Sequence, residues 1–267
     1  MSKLTVKEFI EAKGKRQIVM TTAFDEWTAN ACEAAGIDMI LAWADNLEEI
    51  RGVIRNVRRG APNTLIGTGL PSIGAYSSEE EALRLAGELI DMGVDIIYCS
   101  GLVPEKFAAL SRQHYPCVGH VGYLPVQDTW FGGPRAVGKT FDEALHVFEN
   151  TLALQEAGVI GVEMECVPAD IAAEITKRVD ILTISMGSGP KCDGQFLFSC
   201  DILGTHNEHY PRHCKTYVNL RESAIDALTQ YKNDIITGAY PETPRHTIKT
   251  NPKQFDLFME ALDKKGL

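Results

Sequence analysis

The sequence lacks long apolar runs, and none reaches the roughly 18 residues that a membrane-spanning helix needs. Its first ten residues also lack the apolar core of a secretory signal peptide. Basic residues are in the minority, with a formal net charge of -10, whereas phosphate backbones are bound by clustered Lys and Arg. We therefore expect no membrane partner and no nucleic-acid partner.

Cysteine occurs without any pairing pattern. The chain has seven cysteines, an odd number, and no Cys-x-x-Cys spacing. A disulfide framework and a structural zinc site are therefore both disfavoured. A reducing compartment, the cytoplasm, is the expected location.

The chain also lacks a linker. No stretch rich in Gly, Ser or Pro divides the 267 residues, and the composition of 45% hydrophobic and 23% charged residues is that of a globular protein. We expect one domain over residues 1–267. Two predicted helices, Asn219–Tyr231 and Asn251–Lys264, close it as C-terminal helices.

Eight short apolar runs alternate with longer amphipathic stretches. The runs are Ile18–Ala23, Met39–Ala42, Thr64–Gly67, Asp95–Tyr98, Cys117–Val121, Val159–Met164, Ile181–Ser185 and Phe196–Leu203. Each has the length of a strand, and their largely continuous apolarity indicates burial on both faces. Eight predicted strand–helix units in a chain of this length favour a (β/α)8 TIM barrel. A doubly wound open sheet is the alternative, but no Gly-x-Gly-x-x-Gly follows the first run.

In such a barrel, the chemistry lies where the strands end at their carboxyl side. This rule selects a small set of residues for closer analysis. They are Phe24, Asp25, Asp45, Asn46, Gly69, Tyr98, Ser100, His120, Gln127, Glu165 and the run from Ser185 to Gln195.

Motifs at these positions, taken in order, resemble those of the ketopantoate hydroxymethyltransferase family. They are Thr22-Ala23-Phe24-Asp25, Gly119-His120-Val121-Gly122, Phe131-Gly132-Gly133, Glu165-Cys166-Val167-Pro168, Gly187-Ser188-Gly189 and Asp193-Gly194-Gln195. The resemblance implies a barrel of the phosphoenolpyruvate mutase and isocitrate lyase superfamily. It also implies a small 2-oxo acid as substrate, Mg2+ as cofactor and 5,10-methylenetetrahydrofolate as one-carbon donor. Members of the family are homo-oligomers, commonly decamers.

The resemblance implies a metal site that this sequence supplies only in part. Asp45 aligns with the family's first metal-binding Asp, although an Asp before a helix also serves as an N-cap. Gly69 stands where the family has its second Asp, and a Gly offers no side-chain ligand. Tyr98 and Ser100 stand where the family has Lys and Glu. A weakened Mg2+ site on Asp45 is the expectation.

Glu165 is the candidate catalytic residue, because it aligns with the family's proposed proton-transfer Glu. A partly buried Glu at a strand end can serve as a general base, and the alternative is an ion pair with Arg135. His120 is expected to contact the substrate, or else to form a hydrogen-bonded wall of the pocket. Asn46, Tyr98 and Ser185 are the other predicted substrate-binding residues.

Three functions remain open at this point. The first is a hydroxymethyltransferase-like enzyme that forms the enolate of a 2-oxo acid and adds a one-carbon unit. The second is a superfamily lyase, decarboxylase or other carbon–carbon bond enzyme with a lost or weakened metal site. The third is a catalytically silent relative that binds a metabolite or assembles with an active partner.

Overall fold

A computed structural model describes residues 4–44, 46–69, 78–98 and 103–266. Eight parallel strands form a closed barrel in which each strand pairs with the next along the chain and β8 pairs with β1. The strands are β1 Ile18–Thr22, β2 Met39–Ala42, β3 Leu65–Gly69, β4 Ile96–Tyr98, β5 Cys117–Gly122, β6 Gly161–Glu165, β7 Leu182–Met186 and β8 Gly194–Leu197. The predicted (β/α)8 barrel is confirmed.

Helices alternate with these strands. They are α1 Val6–Ile10, α2 Glu26–Ala35, α3 Leu47–Gly60, α4 Glu79–Asp91, α5 Pro104–Arg112, α6 Asp128–Phe131, α7 Phe141–Glu156, α8 Ala169–Thr176, α9 Ser199–Leu203, α10 Leu220–Thr237 and α11 Pro252–Lys264. Six of them begin at a side-chain cap that accepts a hydrogen bond from the first turn. The capping residues are Thr5, Asp25, Asn46, Ser78, Thr140 and Asn251.

Side chains alternate between the inside of the barrel and the layer beneath the helices, as the period of two in a strand requires. One buried apolar cluster fills the barrel and draws its members from alternate positions of the strands. Ile96, Tyr98 and Val118 are among them. The other cluster joins the outward positions, such as Val162 and Met164, to the helices. Residues at the inward positions near the carboxyl ends therefore line the barrel mouth.

The last strand was predicted in the wrong place. The run Phe196–Leu203 is not one strand: β8 covers Gly194–Leu197, and Ser199–Leu203 forms α9. Gly194 pairs with both Ile18 and Ile184, so the strand starts before the apolar run does. The chain then turns as the Ser199 N–H donates to Thr22 Oγ1, at 3.0 Å.

The chain forms two compact units. The first comprises Met1–Leu203 and Glu208–Tyr217 and contains the barrel; the second comprises Gly204–Asn207 and Val218–Leu267 and contains α10 and α11. A single domain for the whole chain stays a prediction. No helix in the described ranges is long and apolar enough to cross a membrane.

Candidate active site

A buried histidine and two glutamates meet inside the barrel near the carboxyl ends of β5 and β6. His120 pairs in register with Glu163, and Gly122 with Glu165, so the two carboxylates occupy successive inward positions beside the imidazole. His120 Nε2 lies 3.1 Å from Glu165 Oε2 and 3.8 Å from Glu163 Oε1. His120 and Glu163 are each 3% exposed, and the Glu165 side chain is 13% exposed. Glu165 is thus the member of the cluster that faces the mouth.

Two buried polar atoms of this cluster have no partner of hydrogen-bond geometry among the described residues. They are His120 Nε2, which nevertheless lies 3.1 Å from Glu165 Oε2, and the Tyr98 hydroxyl, which lies near Glu163. Buried polar atoms are nearly always satisfied, and leaving one unpaired costs about 1–3 kcal/mol. Both atoms are therefore available to a group that enters the barrel mouth.

The charges of the cluster shift its protonation. Burial raises the pKa of Glu163, against the lowering effect of His120. Burial lowers the pKa of His120, but the charges of Glu163 and Glu165 outweigh it and raise the pKa above its usual range. Burial, with the charge of Glu163, holds the pKa of Tyr98 well above its usual value. The site therefore favours a proton or another positive charge between the carboxylates.

The backbone around Glu165 is held in an uncommon conformation. Cys166 has φ of +52°, a left-handed value that is unusual for a side chain other than Gly. The Cys166 N–H donates to Met186 O at 2.8 Å, and the Glu165 carbonyl accepts from the Tyr123 N–H at 2.9 Å. These bonds fix the end of β6 and aim the Glu165 side chain at His120. Burial also raises the pKa of the Cys166 thiol to about 11, so that thiol stays protonated at neutral pH.

Glu165 is not paired with Arg135, which corrects the alternative interpretation of this residue. The Arg135 guanidinium instead donates to Glu143 Oε1 at 2.8 Å. Glu143 also accepts from the backbone N–H groups of Gly138 and Lys139. Among the ion pairs of the described residues, His120 is the basic partner of both Glu163 and Glu165.

Two predicted substrate-binding residues lie apart from the His120 cluster. Asn46 is exposed, and its side-chain oxygen accepts from the Glu49 N–H to cap α3. Ser185 is buried at an outward position of β7, where its hydroxyl accepts from the Ser188 N–H at 3.0 Å. The structure therefore joins His120, Tyr98 and Glu165 in one site and gives Asn46 and Ser185 local structural contacts. A substrate contact for either stays a prediction.

Only some of the residues at the family's metal-binding positions lie within the described ranges. Asp45 and Ser100 lie outside the described residues. Gly69 ends β3 beside Tyr98 and offers no side-chain ligand. A Cβ atom at Gly69 would lie 3.6 Å from Trp43 Cδ1 and 3.7 Å from Tyr98 O, which are ordinary contact distances. A carboxylate side chain can begin there without a clash, although this chain does not have one.

Glu163 is the site residue that the sequence analysis missed. It lies within the run Val159–Met164, which was interpreted as a strand buried on both faces. The available signal was a charged residue in that apolar run, two positions before Glu165 and hence on the same face of the strand. Charged residues are almost never fully buried unless they are paired, so a buried Glu163 indicates a function for the inward face of β6.

Comparison with known proteins identifies the family of this chain. The family model described as ketopantoate hydroxymethyltransferase matches residues 43–243. The chain belongs to this family. A 3-methyl-2-oxobutanoate hydroxymethyltransferase of Acetivibrio thermocellus is 34% identical over 284 residues, covering 98% of this chain and 97% of the relative. The enzyme of that name from Thermus thermophilus is 35% identical over 254 residues, covering 89% of this chain and 97% of the relative.

Solved structures of the phosphoenolpyruvate mutase and isocitrate lyase superfamily share the fold. A phosphonopyruvate hydrolase, crystallised with oxalate and Mg2+, has a TM-score of 0.58 at 12% identity, covering 98% of this chain and 99% of that one. A 2,3-dimethylmalate lyase has a TM-score of 0.55 at 11% identity, covering 97% and 98%. At this identity the likeness concerns the fold alone.

Proposed function

We propose that the protein is a hydroxymethyltransferase-type enzyme that acts on a small 2-oxo acid through its enolate. The proposed one-carbon donor is 5,10-methylenetetrahydrofolate, by analogy with the family. The observation that carries the proposal is the contact between His120 and Glu165, at 3.1 Å, in the barrel mouth of a member of this family. A carboxylate and an imidazole so close together can accept and hold a proton taken from a substrate.

In the proposed reaction, Glu165 removes the proton from the carbon next to the keto group. The released electron pair forms the enolate. Water hydrolyses the donor, so that both C–N bonds to its methylene carbon break and tetrahydrofolate and formaldehyde result. The enolate carbon then adds to formaldehyde, and the new alkoxide takes the proton from Glu165 to give the hydroxymethyl group. His120 stabilises the Glu165 carboxylate through its charge, because Nε2 lies 3.1 Å from Oε2 and the raised pKa of His120 favours the imidazolium. Tyr98 can donate its hydroxyl hydrogen to an oxygen of the bound acid, since its raised pKa keeps that hydroxyl neutral.

Mg2+ and the subunit arrangement are further parts of the proposal. For Mg2+, the described residues do not provide the two carboxylates that the family uses, because Gly69 has no side chain and Asp45 lies outside the described ranges. No step above is therefore assigned to Mg2+. A homo-oligomer is the proposed state, because α10 and α11 contain no buried residue and carry many exposed apolar side chains. The cytoplasm is the proposed location, because the seven cysteines show no pairing pattern.

The test separates proton removal from one-carbon transfer. The protein is incubated with 3-methyl-2-oxobutanoate in deuterium oxide, with each of several divalent cations, and loss of the C3 proton signal is followed by NMR. We expect exchange in the wild type and at least about a 100-fold loss in Glu165→Gln, as is typical for removal of a general base. Adding 5,10-methylenetetrahydrofolate should then give ketopantoate.

The matched control is Glu149→Gln, the same change at an exposed position of α7. It should exchange the proton as fast as the wild type. Absence of exchange by the wild type with every cation would contradict the enolate mechanism. Exchange that Glu165→Gln leaves unchanged would contradict the role of Glu165 alone.

A superfamily lyase or decarboxylase is the second candidate. The observation that favours it is Tyr98, a neutral hydroxyl where the family resemblance expects a lysine. A set of 2-alkylmalates and 2-oxo diacids, assayed for cleavage under the same conditions, distinguishes this candidate. Turnover of one of them without ketopantoate synthesis would favour the lyase, and binding without any turnover would favour a silent metabolite-binding relative.

A further inference from the structure

The His120 cluster carries more negative charge than its basic partner balances. Glu163 and Glu165 both face the single imidazole, and no Lys or Arg pairs with either carboxylate among the ion pairs of the described ranges. Ionised carboxylates inside a protein are stable only when a positive charge or a proton accompanies them. A single imidazole faces two carboxylates, so the cluster has room for a cation.

The spacing of the three side chains suits a metal ion. His120, Glu163 and Glu165 each offer one ligand atom, and these atoms all lie within 4.8 Å of one another. Nitrogen and oxygen ligands about 2.1 Å from one cation are roughly 3.0–3.5 Å apart. The distances of 3.1 Å and 3.8 Å from Nε2 to the two carboxylates are close to that range. Small side-chain rotations would complete the set.

The unpaired polar atoms of the cluster give a second indication. His120 Nε2 is buried and has no partner of hydrogen-bond geometry among the described residues. The nitrogen of a neutral imidazole is a common metal ligand. The buried, unpaired hydroxyl of Tyr98 borders the same space.

We propose that His120, Glu163 and Glu165 bind a divalent transition-metal cation, with Mn2+ and Zn2+ as the preferred ions. The mixed nitrogen and oxygen ligands favour these ions over Mg2+, which prefers oxygen ligands alone. Three protein ligands leave positions open for a small molecule, as in catalytic rather than structural sites. The proposed cation therefore binds to residues of β5 and β6, whereas the family's two metal-binding positions, Asp45 and Gly69 here, follow β2 and end β3.

The inference rests on the proposed function for what the open positions receive. The keto and carboxylate oxygens of a 2-oxo acid can chelate a cation held by His120 and Glu163. Glu165 is the carboxylate nearest the mouth, with 13% of its side chain exposed. A cation held mainly by His120 and Glu163 would leave the Glu165 carboxylate beside the open positions, where it could serve as the base.

The test measures cation binding directly and without turnover. Metal-stripped protein is titrated calorimetrically with MnCl2, ZnCl2 and MgCl2 at pH 7.5. We expect one tight site per chain for Mn2+ and Zn2+, and weaker binding of Mg2+. His120→Ala and Glu163→Gln should each weaken binding of Mn2+ and Zn2+ by about 100-fold or more. His209→Ala and Glu149→Gln, the same changes at exposed positions away from the cluster, should bind as the wild type does.

A second variant separates this site from the one that the family implies. Asp45→Asn should leave Mn2+ and Zn2+ binding intact. Loss of binding in Asp45→Asn, with retention in Glu163→Gln, would overturn the inference and leave the proposed function standing. A wild type that binds none of the three ions would also overturn it, whereas proton exchange tests the function separately.

Direct location of the ion keeps the test decisive if a variant does not fold. The wild type is crystallised with MnCl2, and anomalous diffraction locates the cation. Anomalous density within bonding distance of His120 Nε2 and both carboxylates is the expected result. Anomalous density only elsewhere, or none between these three side chains, would refute the site.

Discussion

At the scale of single residues, Gly69 sets how well this protein can use the family's own metal position. A Cβ atom there meets only ordinary contacts, so Gly69→Asp should fold and present a new carboxylate at the end of β3. We expect this variant to bind Mg2+ at least about tenfold more tightly than the wild type, because carboxylates are the preferred protein ligands of Mg2+. Calorimetry provides the measurement, with Gly69→Asn as the uncharged control. Equal affinities for the two variants would show that the position no longer faces a cation.

The sequence identified some site residues and missed others for physical reasons. His120 and Glu165 were found because they end strands and match motifs of the family. Glu163 was missed because an apolar run averages over both faces of a strand, and only the register shows that Glu163 shares a face with Glu165. Asn46 was predicted to bind substrate, which stays a prediction; its additional use as a helix cap depends on the exact start of α3, which the sequence pattern does not fix.

Between elements, the close contact of β5 with β6 depends on Gly122. This residue has φ of +90°, and a Cβ atom there would overlap the Glu165 carbonyl and lie 2.6 Å from Val167 Cγ2. Gly122→Ala should therefore separate the strand ends and lower the free energy of unfolding by about 2 kcal/mol more than Gly132→Ala does. Gly132 is the matched control, because its φ is +73° but no atom lies within 4 Å of its Cβ position. If urea unfolding shows the same loss of unfolding free energy for both variants, backbone strain alone, rather than the contact with Glu165 and Val167, accounts for the destabilisation.

The segment that leads into α7 depends on Glu143. Its carboxylate bonds Arg135 and the N–H groups of Gly138 and Lys139, and these interactions lower the pKa of Glu143 to about 2 from its usual 4.5. Because the folded-state pKa is lowered, the stabilisation is complete above about pH 4.5 and is lost as the pH falls towards 2. Glu143→Gln should therefore cost about 1 kcal/mol at pH 6 and much less near pH 2.

Urea unfolding of the wild type and Glu143→Gln at both pH values measures that difference. Asp142→Asn removes the same charge from the neighbouring, exposed residue of the first turn, and it should show a smaller and flatter pH dependence. A cost of Glu143→Gln that does not change with pH would contradict the role of the ionised carboxylate.

The elements themselves were predictable to different degrees. β2 was predicted to the residue, since Met39–Ala42 is a short, wholly apolar run between polar segments. The eighth strand was misplaced because Gly194 and Gln195 have little strand propensity and pair only through the closure of the barrel. Closure of the barrel depends on all eight strands together, so the apolar pattern of one segment cannot predict it.

At the scale of the whole molecule, the homo-oligomer stays a prediction that the surface of the C-terminal helices makes testable. α10 and α11 contain no buried residue. The large apolar side chains exposed on them are Ile225, Leu228, Tyr231, Ile235, Ile236, Phe255, Leu257, Phe258 and Met259. So much exposed apolar surface is unusual for a monomer and is typical of a surface that a partner covers. The homo-oligomer that the family resemblance implies would provide that partner.

Ile236 offers the sharpest test of this assembly, because its side chain is 73% exposed on α10. Ile236→Glu should place a charge in the proposed subunit contact, and burying an unpaired charge at an interface is strongly unfavourable. We therefore expect a lower molecular mass than for the wild type, measured by light scattering after gel filtration. Gln230→Glu adds the same charge to an exposed polar position of the same helix and should leave the mass unchanged. A wild type that elutes as a monomer of 29.4 kDa would show instead that these helices remain uncovered in solution.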